Sequence, residues 1–209
     1  MIGIKWLIKK LLPFYLSYYR FSKARLQSNY FDFLKFKLGF NKRYWPAHKN
    51  CTIAHSDKIF VGINSLVGRN GNYLQGAGTI YIGDYVQLAQ NVGILSVNHD
   101  LYDQNKYVKK PVIIRDYCWV GMNSVLLPGV ELGTRTVVAA GSIVTKSFPE
   151  GYCVIGGNPA KLIKTLDKQN FKPWYYEEAF YGYIHRDTFK KSKYWQKLSS
   201  HFNLDNSLE

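Results

Sequence analysis

The chain is short of acid: 14 Asp and Glu stand against 28 Lys and Arg, a formal charge of +14 over 209 residues. Such a deficit calls for a partner or surface of opposite sign, whether nucleic acid, an anionic membrane or a phosphate-bearing ligand. No recognised nucleic-acid module accompanies the charge, so nucleic acid is not expected as a partner. Cysteine is scarce too. Cys51, Cys118 and Cys153 show neither paired nor metal-ligand spacing, which disfavours a disulfide scaffold and suits a reducing cytoplasm. His99 is the only histidine between residues 56 and 184, and a zinc site needs about three such ligands, so no metal is expected. Long apolar runs are missing as well. The N-terminal stretch is interrupted by Lys5, Lys9, Lys10 and Pro13, far short of the roughly twenty residues that span a bilayer. It has no small-residue cleavage site, so no cleaved leader is expected.

What the sequence does have is a period. Reading every sixth residue from Ile114 gives Ile114, Val120, Leu126, Leu132, Val138 and Val144, an unbroken aliphatic column within the stretch Val112 to Pro149. Six matches neither the helical period near 3.6 nor the strand period of 2. Asp116, Gly121, Asn123, Pro128, Gly129 and Gly133 recur between its members, which is turn chemistry at fixed phase. The spacing predicts a prism in which each hexad is a short strand plus a turn and three hexads close a triangular coil. Coils then stack at about 4.8 Å, ordinary strand spacing. The column points inward, Ser124 and Ser142 suit the tight corners, and Cys118 is expected to fill the core. A run of hairpins would instead need period-2 alternation over each strand.

The ordered motifs IRDYCWVGMNSVLLPGVELG, VVAAGSIVTKSFPEG and GGNPAKLI resemble those of the hexapeptide-repeat acyltransferases, especially the maltose, galactoside and polysaccharide O-acetyltransferase branch. An ordered series over about fifty residues is far more specific than a lone glycine pattern. Arg115 and Leu127 depart from the pattern, standing where the repeat usually has Gly or a small residue. The resemblance implies an all-β core, a left-handed parallel β-helix of hexapeptide repeats with N- and C-terminal helical extensions. Handedness comes from the resemblance alone, because left-handed crossovers run against the general preference and spacing is silent about hand.

The expected organisation has three parts: an amphipathic, aromatic-basic extension over 1–50, an acyltransferase β-helix over 51–164 with a loop at 99–111, and an aromatic-basic extension over 165–209. In the first, Ile4, Trp6, Leu7, Ile8 and Leu11 alternate with lysines, which suits either a lipid surface or packing on the chain's own prism. FLKFKLGFNKRYWP leads into the first coil. There the repeat starts raggedly, with Ile53 and Ile59 six apart and Val61 and Val67 six apart, then slips through RNGNYLQGAGT and resumes at Ile82. Trp174, Tyr175, Tyr176, Phe180, Tyr181, Tyr183, Phe189, Tyr194 and Trp195 crowd the last part. Such density predicts cover over the prism or a neighbouring subunit in preference to a glycan-binding wall.

After Ile94 the column stops, SVNHDLYDQNKYVKKP is extruded, and the repeat restarts at Val112. Insertions on one face of a solenoid are where binding residues are placed, and His99 stands at the root, in the position of the family's catalytic histidine. A sugar hydroxyl is a poor nucleophile and a thioester is already activated, so the missing part is a base, which histidine supplies. A backbone amide near the Gly121 turn is expected to stabilise the oxyanion. The family places an asparagine one coil earlier, which is either Asn72 or Asn70. Asp100, adjacent to His99 on extended chain, points away from it and orients the loop. Trp119 matches a tryptophan flanking the family's cleft and, beside inward Val120, should face outward. Acetyl-CoA is the implied co-substrate. Gly121, Met122 and Ala140 would offer backbone to its pantetheine arm, and Thr145, Lys146, Lys161 and Lys164 match cofactor-site positions, where lysine serves phosphate as a point charge.

The expectation is an acetyl-CoA-dependent O-acetyltransferase acting on a sugar hydroxyl in surface-polysaccharide biosynthesis. It would be a homotrimer with sites between prisms, with a lipid-linked acceptor at the cytoplasmic membrane face and peripheral membrane contact through the N-terminus. N-acetylation of an amino sugar or an antibiotic would use the same base. A non-catalytic β-helix scaffold would make His99 dispensable.

Overall fold

The structure is a computed structural model describing residues 2–24, 26 and 28–202, with side chains placed from Leu12 to Ser200. The lipid reading of Ile4, Trp6, Leu7, Ile8 and Leu11 falls on side chains outside that range.

Three stacked sheets form the faces of a prism. One holds Thr52–Ala54, Tyr73–Gln75, Gly93–Leu95, Val125–Leu126 and Ile143–Val144, all parallel. The second stacks Gln87–Leu88, Trp119–Val120, Thr136–Val138 and Cys153–Gly157 in parallel, and the antiparallel strand Ala160–Thr165 closes it. The third holds Ile59–Val61, Ile80–Ile82, Val112–Ile114 and Glu131–Leu132. The molecule is thus a parallel β-helix, about five coils high along its first face.

Consecutive members of the six-residue column sit on consecutive faces. Ile114 is in register with Leu132, Val120 with Val138 and Leu126 with Val144, so three hexads make one coil. All six side chains are buried, and each full burial of this kind contributes roughly 1.5–3 kcal/mol. Ser124 and Ser142 are buried at the corners, where both hydroxyls donate to the Ala139 carbonyl. Cys118 fills the core, and burial pushes its thiol up to about 12.

The early coils correct the sequence phase. Ile59 is buried but pairs with Ile80, while Val61 pairs with Ile82 and so holds the column position. The extra residues after Ile53 form the short 3-10 turn Ser56–Lys58. A period of six assumes that every corner has one length, and these corners do not.

One corner carries Asn64, Tyr85, Tyr117, Arg135 and Tyr152, all with φ between +44° and +62°. Left-handed backbone costs a bulky residue about 1–3 kcal/mol unless its surroundings hold it. Here Tyr85 and Tyr117 stack at 5.1 Å and 8°, and a C-terminal strap covers them. Trp174 meets both rings edge-on, at 5.0 and 5.8 Å, and Phe171 packs on Tyr117 and Tyr152. The same corner holds Asp84 and Asp116. Asp84 accepts from the Ile63 N–H at 2.6 Å, and Asp116 accepts from the Asp84 N–H at 2.8 Å. Burial, then the neighbouring Asp116 charge, pushes the Asp84 carboxyl up to about 7.

The strap runs back along the prism to its first coil. Asn64 donates to the Glu178 carbonyl and accepts from the Phe180 N–H, and the Tyr183 N–H donates to the Tyr44 carbonyl at 2.7 Å. Gly182 makes that approach possible: it has φ +56°, and a Cβ there would stand 2.1 Å from the Tyr44 carbonyl oxygen. Among the described residues, the C-terminal extension carries a 3-10 turn at Lys168–Asn170, the strand pair Phe180–Tyr181 and Ile184–His185, and helix at Arg186–Phe189 and Trp195–Phe202, with irregular chain between them. Its hydrogen bonds go to the prism and the N-terminal segment.

At the other terminus, α1 (Ile2–Lys23) contains Pro13, and α2 (Tyr30–Lys37) starts at Asn29, whose side chain accepts from the Asp32 N–H. Phe21 and Phe33 are buried with Phe180 and Tyr183 of the strap. Arg20 holds Glu178 through two bonds of 2.8 and 2.9 Å, and Lys23 pairs with Glu177. Among the described residues, no helix is long and apolar enough to cross a membrane.

Candidate active site

Between Leu95 and Val112 the chain leaves the prism, as the interrupted column predicts. The insertion is not irregular loop, however: Val97–His99 pairs antiparallel with Tyr107–Lys109, and His99 lies opposite Tyr107. Val97, Tyr107 and Val108 are good strand formers, which accounts for the pairing. The turn is locked by Asp100, whose Oδ1 accepts from the Tyr102 and Asp103 N–H groups at 2.9 and 3.0 Å. Those bonds, Tyr102's first, hold its carboxyl below the usual range. Lys106 pairs with Asp103 at 3.2 Å across the same turn. Leu101 and Tyr102 stand at the tip, 91% and 99% exposed.

His99 Nδ1 lies 2.6 Å from the carbonyl oxygen of Gln104. A carbonyl only accepts, so Nδ1 donates, and in the neutral imidazole the lone pair is then on Nε2. The Tyr107 ring lies against the imidazole, with centroids 4.7 Å apart. Neither Gln104 nor Tyr107 was among the sequence candidates. Gln104 acts through its carbonyl, which any residue possesses, so its identity held no signal. Tyr107 was visible in principle, through the strand-forming pair it makes with Val108.

The structure separates the two asparagines. Asn72 is buried, donating to the Val67 carbonyl and accepting from the Val92 N–H, both at 2.9 Å. Its amide is occupied in holding the corner. Asn70 is exposed, accepts from the Asn50 side chain at 2.9 Å, and lines a cleft of about 400 Å³ with His48, Arg69 and Gln90. Among the described residues, the hydrogen-bond and ring partners of His99 are Gln104 and Tyr107, and neither asparagine is one of them.

Trp119 is 53% exposed beside buried Val120 and pairs in register with Gln87 and Val137. Gly121 and Ala140 meet at the next corner, where a Cβ on Gly121 would stand 2.6 Å from the Ala140 nitrogen. The Gly121 N–H already donates to the Val138 carbonyl at 2.8 Å, so that amide is not free to stabilise an oxyanion. Met122 is exposed, and its carbonyl accepts from the Gly141 N–H. Thr145 and Lys146 are exposed after the last strand of the first face, with Lys146 over the Phe148 ring at 5.6 Å. Lys161 and Lys164 lie on the returning strand opposite Gly156 and Val154. Lys164 lines a cleft of about 590 Å³ with Arg135, Tyr152 and Lys172, a set that includes neither Thr145 nor Lys146. Among the described residues, no three His, Cys, Asp or Glu side chains are grouped to hold a metal.

The repeat over residues 111–146 matches the family described as bacterial transferase hexapeptide (six repeats). A galactoside O-acetyltransferase of Escherichia coli strain K12 is 34% identical over 104 residues, which is 48% of this chain and 50% of that protein. The chain spans about half the length of the curated relatives it matches. A maltose O-acetyltransferase from Clostridium difficile 630 superposes with a TM-score of 0.59 at 27% identity, over 72% of this chain and 86% of that one. A hexapeptide-repeat-containing acetyltransferase from Vibrio cholerae, solved with acetyl coenzyme A, gives 0.58 at 25% identity, over 70% and 87%.

Proposed function

We propose, on the premise that this chain carries the bacterial transferase hexapeptide repeat, that it moves an acetyl group from acetyl-CoA to a sugar hydroxyl, with His99 as general base. The observation carrying the reading is the Nδ1 contact with the Gln104 carbonyl, which places the lone pair of the neutral imidazole on Nε2, at the exposed root of a paired hairpin. The relatives named as galactoside and maltose O-acetyltransferases and the neighbour solved with acetyl coenzyme A support the donor and the acceptor class.

In this reading, Nε2 removes the hydroxyl proton as oxygen attacks the thioester carbonyl. The tetrahedral intermediate collapses, the carbon–sulfur bond breaks, and the imidazolium returns the proton to the departing thiolate. The fixed Nδ1–H holds one ring orientation through both transfers. Met122 and Ala140 would face the pantetheine arm, and Thr145, Lys146, Lys161 and Lys164 the phosphates. Among the described residues no hydrogen bond or ring contact joins Trp119 to His99, so a complete site would draw the two from adjacent copies, as in the homotrimer the resemblance implies.

The basic composition supports a lipid-linked glycan as acceptor, in surface-polysaccharide synthesis. The exposed stripe of Leu12, Tyr15, Leu16 and Tyr19 on α1 supports contact with a lipid surface. Vesicle binding that survives Leu12→Ser with Leu16→Ser would remove that contact from the proposal.

The deciding experiment is thiol release from acetyl-CoA with a panel of sugars and nucleotide sugars. Acceptor-dependent release should fall about 10²–10⁴-fold in His99→Ala, with the oligomeric state unchanged. Release that persists in the variant would place the base elsewhere.

A further inference from the structure

A cleft lies away from the hairpin, at the first coil. There α2, the segment that follows it, the turn at Ser56 and Asp57, and the approach to the last helix enclose about 880 Å³, within the range of small-molecule sites, roughly 300–1,000 Å³. Lys42, Arg43, Lys193 and Lys197 line it, against the single carboxylate of Asp57. Among the described residues, none of these four cations makes an ion pair.

The cations are held by rings and backbone and not by acid. Lys193 lies over the Tyr194 ring at 5.3 Å, and Lys197 over Phe60 at 5.6 Å. Tyr194 donates to the Lys42 carbonyl at 3.2 Å and packs on Tyr44 at 4.4 Å, which joins the two ends of the chain around the cleft. Arg43 lies over the Trp45 ring at 5.0 Å, and its Nε donates to the Trp45 carbonyl at 2.8 Å. No group among the described residues accepts from its two terminal nitrogens. A half-buried guanidinium without an ion pair is costly, and burial lowers its pKa. The wall is thus a fork for bidentate recognition, three point charges and two flanking rings.

The geometry points to a diphosphate-binding site formed by Lys42, Arg43, Lys193 and Lys197, with Phe60 and Tyr194 beside the ligand's apolar or aromatic body. A nucleoside diphosphate and an isoprenoid-linked diphosphate share that chemistry. None of these residues takes part in the proposed acetyl transfer, so the site stands or falls separately from it.

Calorimetric titration of the full chain with inorganic pyrophosphate tests the site. Saturable one-to-one binding is expected. It should weaken roughly tenfold or more when Lys193→Gln and Lys197→Gln remove two charge-assisted bonds, and it should be unaffected by Lys172→Gln, a lysine of the cleft lined by Arg135 and Tyr152. Arg43→Gln should weaken it at least as much, and the double lysine variant, altered only at the surface, answers the same question should Arg43→Gln unfold. Tighter binding of uridine diphosphate would identify a nucleotide source. Capture by phosphatidylcholine vesicles only when they contain an isoprenyl diphosphate would identify a lipid one, and both results support the site. Absence of saturable pyrophosphate binding, equal weakening by Lys172→Gln, or complete displacement by coenzyme A would overturn it.

Discussion

The coils from Val112 to Val144 and the clasp that joins the two termini differ in how far along the chain their contacts reach. In the coils, Ile114, Val120 and Leu126 each pair with a residue one coil further on, so every contact repeats the last. In the clasp, Phe21 of α1 meets Phe33 at 5.1 Å and Phe180 at 5.5 Å, and Phe36 stacks on Tyr183 at 5.0 Å. The first design adds stability coil by coil. The second is completed only when the strap returns along the prism and brings Phe180 and Tyr183 to the N-terminal helices.

Four substitutions would sharpen or break that contrast. Phe21→Ala should cost about 3–5 kcal/mol and fall mainly on the clasp, seen as faster proteolysis within α1. A single, uniformly weakened unfolding transition would instead show clasp and coils to be one cooperative unit. Leu126→Ala should cost about 2–5 kcal/mol and lower the main thermal transition without releasing α1. The two losses should add in the double variant within roughly 0.5 kcal/mol, since the sites share no partner.

Asp84→Asn tests the corner where coils and strap meet. The Asp84 carboxyl, pushed up to about 7, keeps its proton in the folded protein at pH values where an unfolded aspartate, near pH 4, has lost it. Stability should therefore fall as pH rises from about 4 to about 7 and level off above. Thermal melts of Asp84→Asn, which retains the oxygen that accepts from Ile63, should lose that slope, and an unchanged slope would assign it to another group. The smallest effect is expected from Arg20→Ala. The Arg20–Glu178 pair is well exposed on the arginine side, and such pairs contribute about 1 kcal/mol or less.

The prism was legible because its code is local. Six residues make one side, so Ile114 to Val144 could be read by counting, and Cys118 and Trp119 followed from the inward position of Val120. The insertion at His99 was legible as a break in that count. Counting failed where corners change length: Ile53 and Ile59 are six apart, yet it is Val61 that takes the column position in register with Ile82. It also failed to show that Asn72 is consumed by a corner while Asn70 lies open, and that the Gly121 amide is already committed, because hydrogen-bond partners belong to neighbouring coils and leave no periodic trace.

The sequence by itself determined the repeat, the face each aliphatic residue presents, and the place where a histidine interrupts it, because a solenoid turns position in the chain directly into position in space. Only the tertiary structure decided that the insertion is a paired hairpin, that a backbone carbonyl sets the His99 tautomer, and that the aromatic C-terminus returns to the first coil. Those are pairings between residues whose types are common and whose separations follow no period. Backbone partners and distant ring contacts are chosen by the folded geometry alone.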